Sequence, residues 1–218
     1  AVWAVFGPRR AIEALTLSWL ATCLNPGVYP AISETGALRW LVHAAAFISI
    51  AFATVRRGVR VPCTWIWLVI FVITAATLGV IESYALEVSL LKLVSFFIGM
   101  TVIIMGFHFT RGEARYWQKW VFGLFATVTL AGFVLIVHPV GYFINGSGFQ
   151  GILSHPQTYT LFLGPLFAWH VARLLTGEIR GPWMWVLAVI AGVSLWATEG
   201  RTGAVAAAGG LAVAGGWG

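Results

Sequence analysis

Two polar stretches interrupt an otherwise apolar chain and carry its most reactive residue types: GFQGILSHPQTY at 148–159 and TEGRTG at 198–203. Arg201 follows a long apolar run and precedes a helix-like run of small residues. A cation at a helix start opposes the macrodipole, so its presence there asks for a separate cause. Two causes fit. One is a structural pair with Glu199 inside the turn. The other is bidentate binding of phosphate oxygens by the guanidinium, with Thr202 and Gly203 letting a backbone or a ligand approach closely. His155-Pro156-Gln157 reads first as a helix start, a polar cap followed by proline. A helix N-terminus that faces a cavity also attracts anions. There His155 offers a hydrogen bond to a sugar hydroxyl or a route for a proton.

Two further cations belong to the same chemical class. Lys92, in SLLKLVSFF, either snorkels to the interface or faces the bundle interior and draws an anionic head group inward. Ser89 and Ser95, three residues to either side, favour the interior. Arg39 and His43 are one helical turn apart and read as an interface anchor or as a second cationic contribution to the same cavity. No Cys/His spacing suits a metal.

The elements that must hold these residues are helices in a membrane. The chain is 60% hydrophobic and 9% charged, with 12 Trp and 15 Phe, against about 25% charged residues in a soluble domain. Long unbroken apolar runs exclude the alternating strands of a membrane barrel. At about 20 residues per crossing, the spans fall at 11–30, 38–54, 63–81, 88–108, 118–137, 156–175, 183–198 and 202–218. The expected fold is therefore an all-α, polytopic transmembrane bundle of about eight helices in a single domain, 1–218. Asn25-Pro26-Gly27 interrupts the first span, which either stops early or ends in a re-entrant turn. The segment 138–155 carries no charge and reads as an irregular loop over the outer surface, held at the interface or folded over a cavity by Tyr142, Phe143 and Phe149. The chain begins without Met and ends in a Gly/Ala run, which reads as part of a longer membrane protein.

Charge orders the loops. Ten of the 13 basic residues (all except Arg39, Lys92 and Arg201) fall on the N-terminal end and alternate loops. The positive-inside rule makes that set cytoplasmic and places 148–159 and 198–203 together on the outer face. The net charge of +6 thus has a topological cause, and nucleic acid is not an expected partner.

Phe149, Gly151, His155, Pro156 and Gln157, followed about 45 residues later by Gly200, Arg201 and Thr202, resemble the paired motifs of the O-antigen ligase / O-antigen polymerase superfamily. That superfamily shows aromatic-x-Gly-x-x-x-(Asn/His)-Pro-(Asn/Gln) at one helix start and Ser-Arg-(Gly/Thr) after the next helix. GPRRAIEALTLSWLATCLNPG and SLLKLVSFF resemble its polysaccharide-polymerase branch. Gly148 stands where many relatives carry Arg. The resemblance implies a metal-independent and cofactor-free glycosyltransferase of the bacterial inner membrane. It would pass glycan from an undecaprenyl diphosphate carrier to an acceptor glycan or lipid at the outer face. It implies substrate binding by Arg201, His155 and Gln157, with Lys92 and Arg39 as candidates from the residues themselves, and a general-base His in an outer loop beyond residue 218. Two other classes fit the composition: a transporter or lipid-handling protein, and a non-catalytic subunit packed against other membrane chains.

Overall fold

A computed structural model describes residues 1–28, 35–58, 60–142 and 148–216. These residues form an all-α structure of nine helices: α1 (Val2–Val5), α2 (Pro8–Thr22), α3 (Thr35–Arg57), α4 (Cys63–Glu82), α5 (Leu86–Phe109), α6 (Ala114–Phe133), α7 (Pro156–Leu175), α8 (Pro182–Ala197) and α9 (Arg201–Gly216). Three of them, α3, α4 and α5, are long and apolar enough to cross a membrane. With the composition, they make this a membrane protein. At about 1.5 Å per residue, α6 and α7 are also long enough to cross but less apolar, and α8 is a shorter apolar helix.

Proline and glycine set several boundaries. Pro62, extended at φ −68° and ψ 147°, precedes α4. Gly181, at φ +121°, turns the chain into Pro182 at the start of α8, a backbone angle that an L side chain resists. Two spans differ from expectation. The first expected span is α2, which begins at Pro8 and stops at Thr22, because Asn25 precedes a proline and is biased away from helix. Asn25 Oδ1 instead accepts the Gly27 N–H at 2.9 Å, a local turn. Residues 29 and 30 of that expected span, Phe143 of the loop, and 217–218 of the last span lie outside the described residues. The fifth span is shifted to Ala114–Phe133. Beyond it the chain tightens through Leu135 N–H to Gly132 O (2.9 Å) and Ile136 N–H to Phe133 O (3.0 Å), and Pro139 opens a short 3₁₀ turn.

The contacts divide into two compact units. The first comprises Ala1–Thr22 and Ser33–Ala114. Its centre is the junction of α2, α3 and α5. His43, fully buried, takes a hydrogen bond from Trp19 Nε1 at 3.2 Å and lies 3.4 Å from Ser95 Oγ through the same Nε2. Its Nδ1 sits 2.8 Å from Arg39 O, so the consistent tautomer carries the proton on Nδ1 and donates it to that carbonyl. Gly99 and Gly106 leave no room for a Cβ beside Trp19 and Ile12, which lets α2 lie close on α5. In α4, Leu68 is the buried residue, and Trp65 Nε1 donates to Thr101 of α5 at 3.1 Å. The rest of α4 suits a lipid-facing helix, apolar nearly all round.

The second unit comprises Cys23–Ile32 and Arg115–Gly218. Here α7 and α9 run parallel. A Cβ on Gly200 or Gly203 would collide with Thr160, one on Gly164 would lie 2.6 Å from Gly203 O, and one on Gly210 2.8 Å from Ala168 Cβ. Small residues of this kind bring membrane helices together where lipid removes the hydrophobic drive for association. On α9 this contact has a sharp test. Gly203→Ala is expected to destabilise the protein by roughly 1–3 kcal/mol through overpacking. Gly209→Ala, where a Cβ meets nothing within 4 Å, should instead gain up to about 1 kcal/mol of helix propensity. Equal melting temperatures for the two variants in detergent would rule the close contact out.

Candidate functional site

The polar stretch at 148–155 is not draped over a surface. Phe149, Gln150 and Leu153 are buried, and the backbone is tied down at both ends. Phe149 N–H donates to Ala197 O at 3.0 Å and Gln150 N–H to Gly141 O at 2.8 Å. Leu24 and Leu153 form an isolated antiparallel bridge, flanked by Asn25 N–H to Ile152 O (2.8 Å) and Ser154 N–H to Cys23 O (2.7 Å). Asn25, fully buried, donates through Nδ2 to Val140 O at 2.8 Å and Gly151 O at 3.3 Å. Buried non-helical backbone needs such partners, since an unpaired amide in an apolar setting costs several kcal/mol. Phe149 fills the space between Tyr142 and Tyr159, with ring centroids 5.4 and 5.6 Å away.

This framework delivers His155 to the start of α7. His155 is extended at φ −152° and ψ 142°, and its Nδ1 accepts the Gln157 N–H at 3.1 Å, with Pro156 following as the first helical residue. The helix start read from HPQ is therefore present, and the cap is the imidazole itself. An Nδ1 lone pair engaged in this way requires the neutral tautomer with its proton on Nε2. His155 thus presents an Nε2–H donor.

The second stretch is organised by Thr198, which is buried. Its Oγ1 donates to Leu195 O at 2.6 Å, accepts from Thr160 Oγ1 at 2.7 Å, and accepts from Gly200 N–H at 3.2 Å. Glu199 then takes φ +55°, a conformation uncommon for a residue with a side chain. The chain reverses there into Arg201, the first residue of α9. The first bond closing α9 is Ala204 N–H to Gly200 O at 3.3 Å. The N–H groups of Arg201, Thr202 and Gly203 precede that bond, where a helix leaves its donors unpaired.

The two stretches meet in one cavity of about 500 Å³, lined by His155 and Gln157 from α7, Thr198 and Glu199 from the turn, and Arg201 and Thr202 from α9. Arg201, Glu199 and Gln157 are exposed to it, and His155 is half-buried. Among the described residues Arg201 makes no ion pair, with Glu199 or any other carboxylate. The structural Glu–Arg pair that competed with phosphate binding as a cause for Arg201 is thus not formed. On its other side the Glu199–Arg201 turn borders a second cavity of about 520 Å³, with Tyr142, Trp196 and Ala204 in its wall. The arrangement offers donors to an anion from a guanidinium and two helix ends. His155 Nε2–H and the Glu199 carboxylate offer a donor and an acceptor to hydroxyl groups.

His155, Gln157 and Arg201 are brought together; Lys92 and Arg39 do not line this cavity and belong to the first unit. Lys92 is exposed on α5 and borders a shallow groove with Phe71, Ala75 and Gly79 of α4. The interior orientation expected from its serines is not adopted. A helix turns about 100° per residue, so a spacing of three leaves residues about 60° apart. Ser95 reaches His43, while Ser89 turns the other way to bond Ser83 Oγ at 2.8 Å, and Lys92 falls between them. Arg39 is half-buried. Thr160, Thr198 and Asn25 position the site without having been read as doing so: Thr198 was marked only as part of its stretch and Asn25 only as a break in the first span. Asn25 carried a further signal, as a polar residue before proline in an apolar run.

Comparison of the chain with protein-family models, with curated proteins and with solved structures gave no match.

The cap carries its own prediction. His155→Ala should cost about 1 kcal/mol of stability. His155→Asn should restore it, because an amide oxygen accepts the same N–H. Thermal melts of the purified protein in detergent measure both, and an Asn variant no better than Ala would mean that the imidazole is not a cap.

Proposed function

We propose that this chain belongs to a multi-pass glycosyltransferase of the bacterial inner membrane. It works at the outer face and passes glycan from an undecaprenyl diphosphate carrier to an acceptor glycan or lipid, in the manner of O-antigen ligases and polymerases. One observation carries the reading: the unpaired guanidinium of Arg201 shares a cavity with the capped N-terminus of α7. These are the two places where the sequence resembles that superfamily. The chemistry needs donors aimed at the diphosphate as the glycosidic C–O bond breaks and negative charge gathers on the leaving oxygen. Preorganised donors of that kind act chiefly on the transition state. Arg201 supplies a bidentate fork, and the first-turn amides of α9 lie beside it. His155 Nε2–H and Gln157 orient sugar hydroxyls.

The superfamily accepts Asn or His at the position of His155. The N-cap geometry accounts for the exchange, since both side chains place an acceptor where the second helical N–H can reach it. That shared property is not basicity. In the proposed transfer His155 is a binding and positioning residue, and the hydroxyl proton goes to another group. Glu199 is the carboxylate on this wall.

Arg201→Ala in the intact protein is expected to lower transfer by about a hundredfold or more. Arg201→Lys should recover only part of it, because a point charge replaces a planar fork. Polymeric or ligated surface glycan in cells, scored at matched protein levels in the membrane, is the readout. Undiminished glycan in Arg201→Ala would sink the proposal.

A further inference from the structure

The first unit contains a cavity of about 800 Å³ that the proposed transfer does not use, between α1, the start of α2 and the last turns of α3. Its walls are Val5, Ile48, Ser49 and Phe52, and Arg56 and Arg57 border it at the end of α3. The chain holds its nearby cations in two different ways. Arg9 and Arg10 are neutralised: Arg9 lies 3.2 Å from Glu113 and 3.8 Å from Glu13, and Arg10 lies 3.0 Å from Glu13. Arg56 and Arg57 have no ion pair among the described residues. Both are exposed, and Arg57 is steadied by the Phe109 ring, 5.3 Å below its guanidinium carbon. Two uncompensated guanidiniums thus stand over an apolar recess.

The depth of this recess relative to a bilayer follows from the sequence of α3. The helix is one of the three able to cross a membrane, and its crossing ends at Arg57, so the arginines sit where a span meets the headgroups. Just below them, toward the hydrocarbon, Phe52 and Ile48 are 65% and 60% exposed, as a surface covered by acyl chains would be. The short helix α1 adds an interfacial anchor: Trp3 is half exposed, donates to Glu13 at 3.0 Å and carries the Arg10 guanidinium carbon 4.0 Å from its own ring centroid. Charge above and hydrocarbon below match one kind of molecule. We infer that this recess binds an anionic phospholipid of the leaflet facing Arg56 and Arg57, its phosphate on the two guanidiniums and an acyl chain along Phe52 and Ile48. Guanidinium forks suit phosphate oxygens, and an acyl chain buries apolar surface that inorganic phosphate lacks. The inference rests on the membrane character of the chain and is independent of the transferase reading.

The test is lipid retention by the purified full-length protein in detergent, counted by native mass spectrometry after titration with phosphatidylglycerol or phosphatidylcholine. Phosphatidylglycerol should be retained and phosphatidylcholine should not, and millimolar inorganic phosphate should fail to displace it. Arg56→Gln with Arg57→Gln should weaken retention by about tenfold or more. Arg111→Gln with Arg115→Gln, an equal charge change at residues that do not line the recess, should leave it intact. Ile48→Trp, which narrows the recess and keeps both arginines, should also weaken it and serves if the double variant does not fold. Equal retention of the two lipids, equal loss in the Arg111/Arg115 control, displacement by inorganic phosphate, or full retention in Ile48→Trp would each overturn the assignment.

Discussion

The second unit depends on one close approach. Thr160 lies against Gly200 and Gly203 with no space for a methyl group, and its hydroxyl donates to Thr198. Because α7 and α9 are parallel, the contact brings two helix N-termini side by side. That is electrostatically adverse, as each carries roughly half a positive charge. Arg201 adds a full one. Packing and the Thr198 hydrogen bonds hold together an arrangement that charge alone would separate. An anion seated between the helix ends would turn that repulsion into attraction. Glu199, on the same wall, offsets part of it when no anion is bound.

The same unit shows how irregular backbone survives in an oily protein. Residues 148–155 are largely buried and not helical, so their N–H and C=O groups cannot rely on water. Partners come from outside the segment: Ala197, Gly141, Cys23 and Asn25. Asn25 contributes its backbone N–H to Ile152 and its side-chain amide to Val140 and Gly151. The break in the first predicted span therefore has a use. Ending α2 at Thr22 frees the next residues to pair with the loop, which an unbroken helix would have prevented.

How much of this was legible in the sequence follows from how local each feature is. The starts of α4, α7 and α8 were readable to within two residues, since Pro62, Pro156 and Pro182 act on their own helices. The start of α6 was missed by four, because no residue near Ala114 forbids an earlier turn. At the site, His155 and Arg201 stood out as polar residues at helix starts. Thr160 did not: a threonine inside an apolar run is ordinary, and its importance comes from glycines far along the chain. The orientation of Lys92 was not legible, for a geometric reason. Serines three residues to either side bracket about 120° of helix surface, too wide an arc to say which way the lysine between them points.

The cap on α7 also bears on how work is divided at the site. To act as a base through Nε2, His155 would need a lone pair there and a proton on Nδ1. That tautomer sets an N–H against the Gln157 N–H, replacing a hydrogen bond by a clash of donors at the first turn of α7. A protonated imidazole meets the same conflict. The helix start therefore favours the donor form of His155 by the worth of one cap, about 1 kcal/mol, so in the proposed transfer the acceptor's proton is better taken by a group that caps nothing. Glu199 meets that condition: its carboxylate has no hydrogen bond or ion pair among the described residues, and its φ of +55° turns the chain so that it shares a wall with Arg201. In the proposed transfer, a donor-form imidazole at one helix start and an uncommitted carboxylate beside the other would divide hydroxyl recognition from proton removal. The close approach at Thr160 is what keeps the two within one cavity.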